Sequence, residues 1–107
     1  MDSVPAISVL LPVCNTEKYL AEALDSLEAQ TFRSFEIIAV NDGSTDRSGE
    51  ILRNYAARFP NIRLIEQPNR GKPAALNAGL AQASGEWIAI MDSDDSAAPE
   101  YLGHLYA

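Results

Sequence analysis

Asp92-Ser93-Asp94-Asp95 sets three carboxylates within four residues. Carboxylates one residue apart at a strand end can be aimed at one hard cation whose other ligands are phosphate oxygens. The competing use of the same stretch is an acidic cap for a helix starting near Pro99, since Asp and Ser favour helix N-termini. A second group is Asp42-Gly43-Ser44-Thr45-Asp46. Its first carboxylate, Asp42, can accept a hydrogen bond from an imide N–H of a base, with Gly43 supplying a permissive turn. Thr45 and Asp46 read as helix caps. Pro12-Val13-Cys14-Asn15 and Gln67-Pro68-Asn69-Arg70-Gly71-Lys72 complete the set.

Four short apolar runs must position these groups, because each group follows one of them. Ile7–Val13, Phe35–Val40, Ile62–Ile65 and Trp87–Met91 are rich in β-branched residues and read as strands. Their starts, marked by Ile7, Ile37, Ile62 and Trp87, are spaced 30, 25 and 25 residues apart, close to the ~30 residues of a β-α-β unit. Between them, 16–30 places Leu20, Leu24 and Leu27 on one helical face with Thr16 as N-cap. A second helix is expected over 45–59, with Ile51, Leu52, Tyr55, Ala56 and Phe59 as its buried stripe and Pro60 as its stop. The third, over 73–84, is alanine-rich, with Pro73 in its first turn and Gly85 just beyond its end. A fourth begins near Pro99 and includes Tyr101 and Leu105. The alternation predicts an α/β fold, a parallel-stranded, Rossmann-like three-layer sandwich buried on both faces. Ligands of such sheets bind outside the carboxyl ends of the strands, where all four polar groups fall.

The chain has 107 residues and a formal charge of −7. That balance argues against nucleic acid or an anionic bilayer as partner, since both would be repelled unless a metal or local basic patch reversed the field. One cysteine, Cys14, allows no intrachain disulfide. The first strand is not followed by Gly-x-Gly-x-x-Gly, and Gly71-Lys72-Pro73 is not a Walker A loop. The start lacks a signal-peptide pattern, and no apolar run approaches the ~20 residues of a membrane span. A cytoplasmic location is expected, with any membrane contact made by parts of a parent protein outside this chain. The last helical pattern is still running at Ala107, so residues 1–107 read as the first half of a larger domain.

Taken together, Pro12–Asn15, Asn41–Asp46, Asn69–Lys72 with Ala75-Leu76-Asn77-Ala78-Gly79, and Asp92–Asp95 resemble the nucleotide-binding half of glycosyltransferase family 2, inverting enzymes of the GT-A fold. The resemblance runs from Ile7 to about Leu105. It implies that Pro12, Val13 and Asn15 line a nucleoside pocket and that Asp42 contacts uracil. It implies a DXD motif at Asp92-Ser93-Asp94, with Asp94 on Mn2+ or Mg2+ and Asp92 or Asp95 sharing the metal, the ribose or the sugar. Where the family commonly has Ala-Arg-Asn, this chain has Ala75-Leu76-Asn77, so Lys72 or Arg70 is the substitute phosphate or ribose partner, Arg70 being otherwise a solvated charge. Asn69, Gly71, Asn77 and Gly79 either shape the pocket floor or punctuate loop and helix. Cys14 reads as a pocket-wall or buried thiol, His104 as a surface residue and Trp87 as core.

The implied activity is donor binding for sugar transfer from a nucleotide-sugar, a UDP-sugar, to an acceptor hydroxyl. The general base is expected beyond residue 107, so no catalytic residue is assigned and the chain alone is expected to be inactive. Two alternatives are a receiver-type signalling domain, which would carry an acidic pair where Cys14-Asn15 stands, and a non-catalytic fragment that self-associates through an exposed sheet edge.

Overall fold

A computed structural model describes residues 4–106; Met1–Ser3 and Ala107 lie outside it. The order is β1 (Ile7–Val13), α1 (Glu17–Glu28), β2 (Phe35–Asp42), α2 (Ser48–Arg58), β3 (Ile62–Gln67), α3 (Lys72–Gln82), β4 (Trp87–Ile90) and α4 (Tyr101–Tyr106). All the expected elements form, with no end shifted by more than three residues. The strands make one parallel sheet of order β3-β2-β1-β4. Leu10 pairs with Ile38 on one side and Ile90 on the other, and Asp42 stands opposite Gln67. A receiver would interleave its strands as 2-1-3-4-5, so the strand order overturns that alternative.

Side-chain alternation splits the sheet into two apolar faces. Ile7, Val9, Leu11, Val13, Ile37 and Ala39 pack against Leu20, Leu24 and Leu27 of α1, Leu52 of α2 and Leu102 of α4. Leu10, Ile38 and Val40 face α3 through Ala75. The alanines and glycine of α3 let it lie close: a Cβ built on Gly79 would stand 3.3 Å from Leu10 and 3.4 Å from Val40. The three-layer arrangement is therefore present.

Burial on both faces holds for β1 and β2 but not for the edge strand β4. Trp87, expected in the core, is 56% exposed, and Ile88 and Ile90 are also exposed. The reason is placement: α3 covers β1 and β2 and leaves β4 with one neighbour and few covering side chains. Leu105 of α4 is likewise exposed, and Leu102 takes the buried position. His104 is on the surface, as expected. Among the described residues, no helix is long and apolar enough to cross a membrane.

The stretch after the aspartates, which sequence periodicity does not constrain, is tied to the C-terminal end of α1. Ala97 N–H donates to Ser26 Oγ at 3.0 Å. The buried Gln30 amide donates to Ala98 O at 2.7 Å and accepts from Leu102 N–H at 2.9 Å.

Candidate functional site

β2 delivers Asp42 to the carboxyl edge of the sheet, where it is 3% exposed. Its Oδ1 accepts from Gln67 Nε2 at 3.0 Å and from Arg70 N–H at 2.8 Å, and its Oδ2 accepts from Gly71 N–H at 2.9 Å. These bonds, led by that from Gln67, hold the carboxyl below the ordinary aspartate range despite burial. Asn69 Nδ2 also donates to Asp42 O at 3.1 Å. Asp42 thus grips the β3–α3 loop at Asn69, Arg70 and Gly71. Gly43 is needed beside it: with φ +67° and a would-be Cβ 2.5 Å from Asn69 N, only glycine lets the two loops touch.

The β1–α1 loop is bracketed to the β2–α2 loop. Asn15 adopts φ +54°, a conformation Asn tolerates, and its Oδ1 accepts from Thr45 N–H at 2.8 Å and Asp46 N–H at 3.2 Å. Asp46 caps two helices, accepting from Ser48 N–H at 2.9 Å and Glu17 N–H at 3.1 Å. Burial would raise its pKa, but the bonds from Ser48 and Glu17 bring it below the usual value. The expected N-cap of α1, Thr16, makes no side-chain cap bond; its hydroxyl instead meets Ser93 Oγ at 2.8 Å.

After β4 the chain turns, with Asp95 N–H donating to Asp92 O at 3.1 Å. Ser93 is buried, whereas Asp92, Asp94 and Asp95 face solvent with one oxygen of each within 4.8 Å of the others. Lys72, the first residue of α3, forms an ion pair with Asp92. That bond to Asp92, aided by the charges of Asp92, Asp94 and Asp95, raises the ammonium pKa. Three hard oxygen donors already drawing a monocation suit a divalent ion.

A cleft of about 270 Å³ is lined by Pro12, Val13, Asp42, Lys72, Asp92, Ser93 and Asp94, together with Cys14, Thr16 and Ala75. Seven of the residues expected to bind nucleotide or metal therefore meet in one place, with Cys14 in the wall beside them. Asp95 lines an adjoining cleft of about 310 Å³ with Lys72, Asp92 and Tyr101. Asn15, Asn69 and Gly71 do not line the cleft but take part in the bonds that join its loops, and Asn77 is exposed on α3 and lines neither cleft. Arg70 contributes its backbone N–H and leaves its side chain in solvent. Sequence reasoning missed Thr16 as a lining residue and Gln67 as a partner of Asp42. Extending the β2 and β3 runs by two residues would have set Gln67 opposite Asp42.

A parallel α/β sheet with a cleft among its carboxyl-edge loops, and a buried carboxylate and two of the clustered aspartates in the wall of that cleft, defines an open α/β domain of the Rossmann type. More narrowly, the chain belongs to glycosyl transferase family 2, whose model matches residues 8–107. Glycosyltransferase GlyA of Streptococcus pneumoniae serotype 4 is 46% identical over 100 residues, covering 94% of this chain and 14% of GlyA. S. aureus TarS 1-349 in complex with UDP-GlcNAc superposes with a TM-score of 0.86 at 36% identity, covering 94% of this chain and 30% of that one. The mannosyltransferase PcManGT from Pyrobaculum calidifontis, in complex with GDP-Man and Mn2+, superposes with a TM-score of 0.84 at 31% identity, over 94% of this chain and 31% of that one. The fold is thus that of GT-A glycosyltransferases. The chain spans about a third or less of the length of each of these proteins.

Proposed function

We propose that this chain forms the donor-binding part of an inverting glycosyltransferase that passes a sugar from a UDP-sugar to an acceptor hydroxyl, with Mn2+ or Mg2+ at the diphosphate. The observation that carries the reading is the shared cleft: Asp42 and the pair Asp92 and Asp94 line one volume, so a base-directed and a diphosphate-directed group act on one ligand. The nucleotide-sugars bound by TarS and PcManGT, the latter with Mn2+, support it.

The occupancy of Asp42 favours uracil. Oδ1 already accepts two bonds and Oδ2 one, which leaves one acceptor position on a carboxylate that has about four. An imide presents a single N–H to fill it, whereas the guanine edge presents adjacent N–H and NH2 donors. Lys72 stands beside the aspartates at the positive end of α3, where a phosphate is favoured. When bound by Asp94 with Asp92 or Asp95, a divalent ion supplies charge compensation for the leaving diphosphate. In transfer, the acceptor oxygen gives its proton to a base outside this chain and bonds the anomeric carbon as the bond to the diphosphate breaks, its electron pair leaving on UDP.

Calorimetry tests this. UDP should bind more tightly with Mn2+ than in chelator and more tightly than GDP, Asp94→Asn should abolish the gain from Mn2+, and the chain alone should transfer no sugar. Equal UDP affinity in Mn2+ and chelator refutes the reading.

A further inference from the structure

Thr16 occupies the N-cap position of α1, where a threonine hydroxyl ordinarily accepts from the N–H two or three residues on. Here the hydroxyl makes no such bond. The first-turn donor Glu17 N–H is taken by Asp46 from the neighbouring loop at 3.1 Å, and the Thr16 hydroxyl lies 2.8 Å from the hydroxyl of Ser93, 77 residues along the chain. Ser93 is the middle residue of the aspartate turn and 4% exposed, while its flanking aspartates face solvent. The contact therefore fixes the one inward-facing side chain about which Asp92 and Asp94 are displayed. Thr16 is itself fixed, because its own N–H donates to Ser48 Oγ at 3.1 Å and its carbonyl accepts from Tyr19 and Leu20. Of the other anchors, Lys72 pairs with the exposed Asp92 carboxylate and leaves Ser93 and Asp94 unheld, while Ser26, Gln30 and Thr31 grip residues 97–102, beyond the carboxylates.

We infer that Thr16 is a positioning residue for the metal and diphosphate loop, holding Ser93 so that Asp92 and Asp94 keep a common direction before any ligand arrives; this rests on the donor-binding reading above. Without the bond, the exposed turn samples orientations in which the two carboxylates diverge, and ordering them on ligand binding costs affinity.

The test compares Thr16→Val, which keeps the shape and loses the hydroxyl, with Thr16→Ser, which keeps the hydroxyl, in the whole protein. First, amide exchange without metal or nucleotide should quicken across residues 92–95 in Thr16→Val, stay unchanged in the first turn of α1, and return to normal in Thr16→Ser. A change confined to residues 17–20 would make Thr16 an ordinary cap and overturn the inference. Second, UDP affinity in Mn2+ should fall about three- to tenfold in Thr16→Val, in keeping with one neutral hydrogen bond. Affinity in chelator should fall by a clearly smaller factor, and Thr16→Ser should recover the loss. A uniform loss with and without Mn2+, or a Thr16→Ser variant as weak as Thr16→Val, overturns the positioning role. If the wild type itself gains nothing from Mn2+, the donor-binding reading falls with it, whereas a normal wild type with an unaffected Thr16→Val refutes only the inference drawn here.

Discussion

Replacing Asp42 by asparagine changes no shape and removes one charge, so its effect reads the three bonds that the carboxylate accepts. Asn can keep Gln67 and Arg70 on its single carbonyl oxygen, but its NH2 then faces Gly71 N–H, and two donors are left opposed. One bond is lost and two fall from charge-assisted to neutral strength, from about 1.5–3 to about 0.5–1.5 kcal/mol each. Water reaches the half-buried Gly71 and relieves part of this, leaving an expected destabilisation of about 2–3 kcal/mol near neutral pH, or a Tm lower by roughly 10 °C. The pH dependence has a definite sign. The folded pKa of Asp42 lies below the ordinary 3.8, so its stabilisation is complete above that value and is lost as pH falls through the folded pKa. Urea denaturation should therefore show a gap between wild type and Asp42→Asn that is full near pH 7 and narrows below pH 4. Amide exchange should show Gly71 deprotected and Arg70 largely unaffected. An equal gap at both pH values, or no gap, would refute the assignment of these bonds.

Other perturbations follow the same physics. Lys72→Met removes the monocation paired with Asp92, so Mn2+ titrated without nucleotide should bind about two- to fivefold more tightly at low salt, while UDP in Mn2+ binds less tightly; weaker Mn2+ binding alone would contradict this. Gly43→Ala forces a side chain into φ +67° and against Asn69, and should cost at least about 2 kcal/mol in chemical denaturation, with UDP affinity falling because residues 69–71 move. Glu28 Oε2 is buried without a partner, and burial raises its pKa although Asn61 and Arg33 offset part of the rise. Glu28→Gln should therefore stabilise the chain by about 0.5–1 kcal/mol near pH 7, an advantage that shrinks as pH falls toward the folded pKa and the wild-type carboxyl takes up its own proton. Paired thermal melts at the two pH values decide it.

The elements and the site were legible to different depths for physical reasons. β1 and β2 are central strands, and their apolar runs, interrupted only by Ser8 and Glu36, announce burial on both faces; β4 has a similar apolar run at a sheet edge, and nothing in Trp87-Ile88-Ala89-Ile90 encodes that α3 will cover β1 and β2 instead. Asp42, Asp92 and Asp94 could be picked out because strand ends collect ligand groups in this architecture. Their supports could not. Gln67, Asn15 and Thr16 act across 25 to 77 residues of sequence, and a polar side chain reveals such a partner only when the register or the loop path is known. Local rules even misdirect at Thr16: it stands at the N-cap position, but its hydroxyl meets Ser93, and Asp46 from another loop accepts from Glu17 N–H.

The same bonds imply that the cleft reaches its shape without a ligand, and this governs how affinity arises. Asp42 is occupied by its own chain except for one acceptor position, so under the proposed function a base would add to an existing network and displace none of it. Asp92 differs: its partner Lys72 is more than half exposed, and an exposed ion pair of this kind exchanges at little cost. A diphosphate arriving with a cation can draw Lys72 to its own oxygens as the cation takes the aspartates, which conserves the count of opposite-charge contacts while neutralising an acidic chain at its most acidic loop. On the proposed reading, base recognition would thus rest on a fixed support and metal binding on an exchangeable one. Base preference should survive perturbations that abolish metal dependence, while perturbing Asp42 also disturbs the loop that carries Lys72.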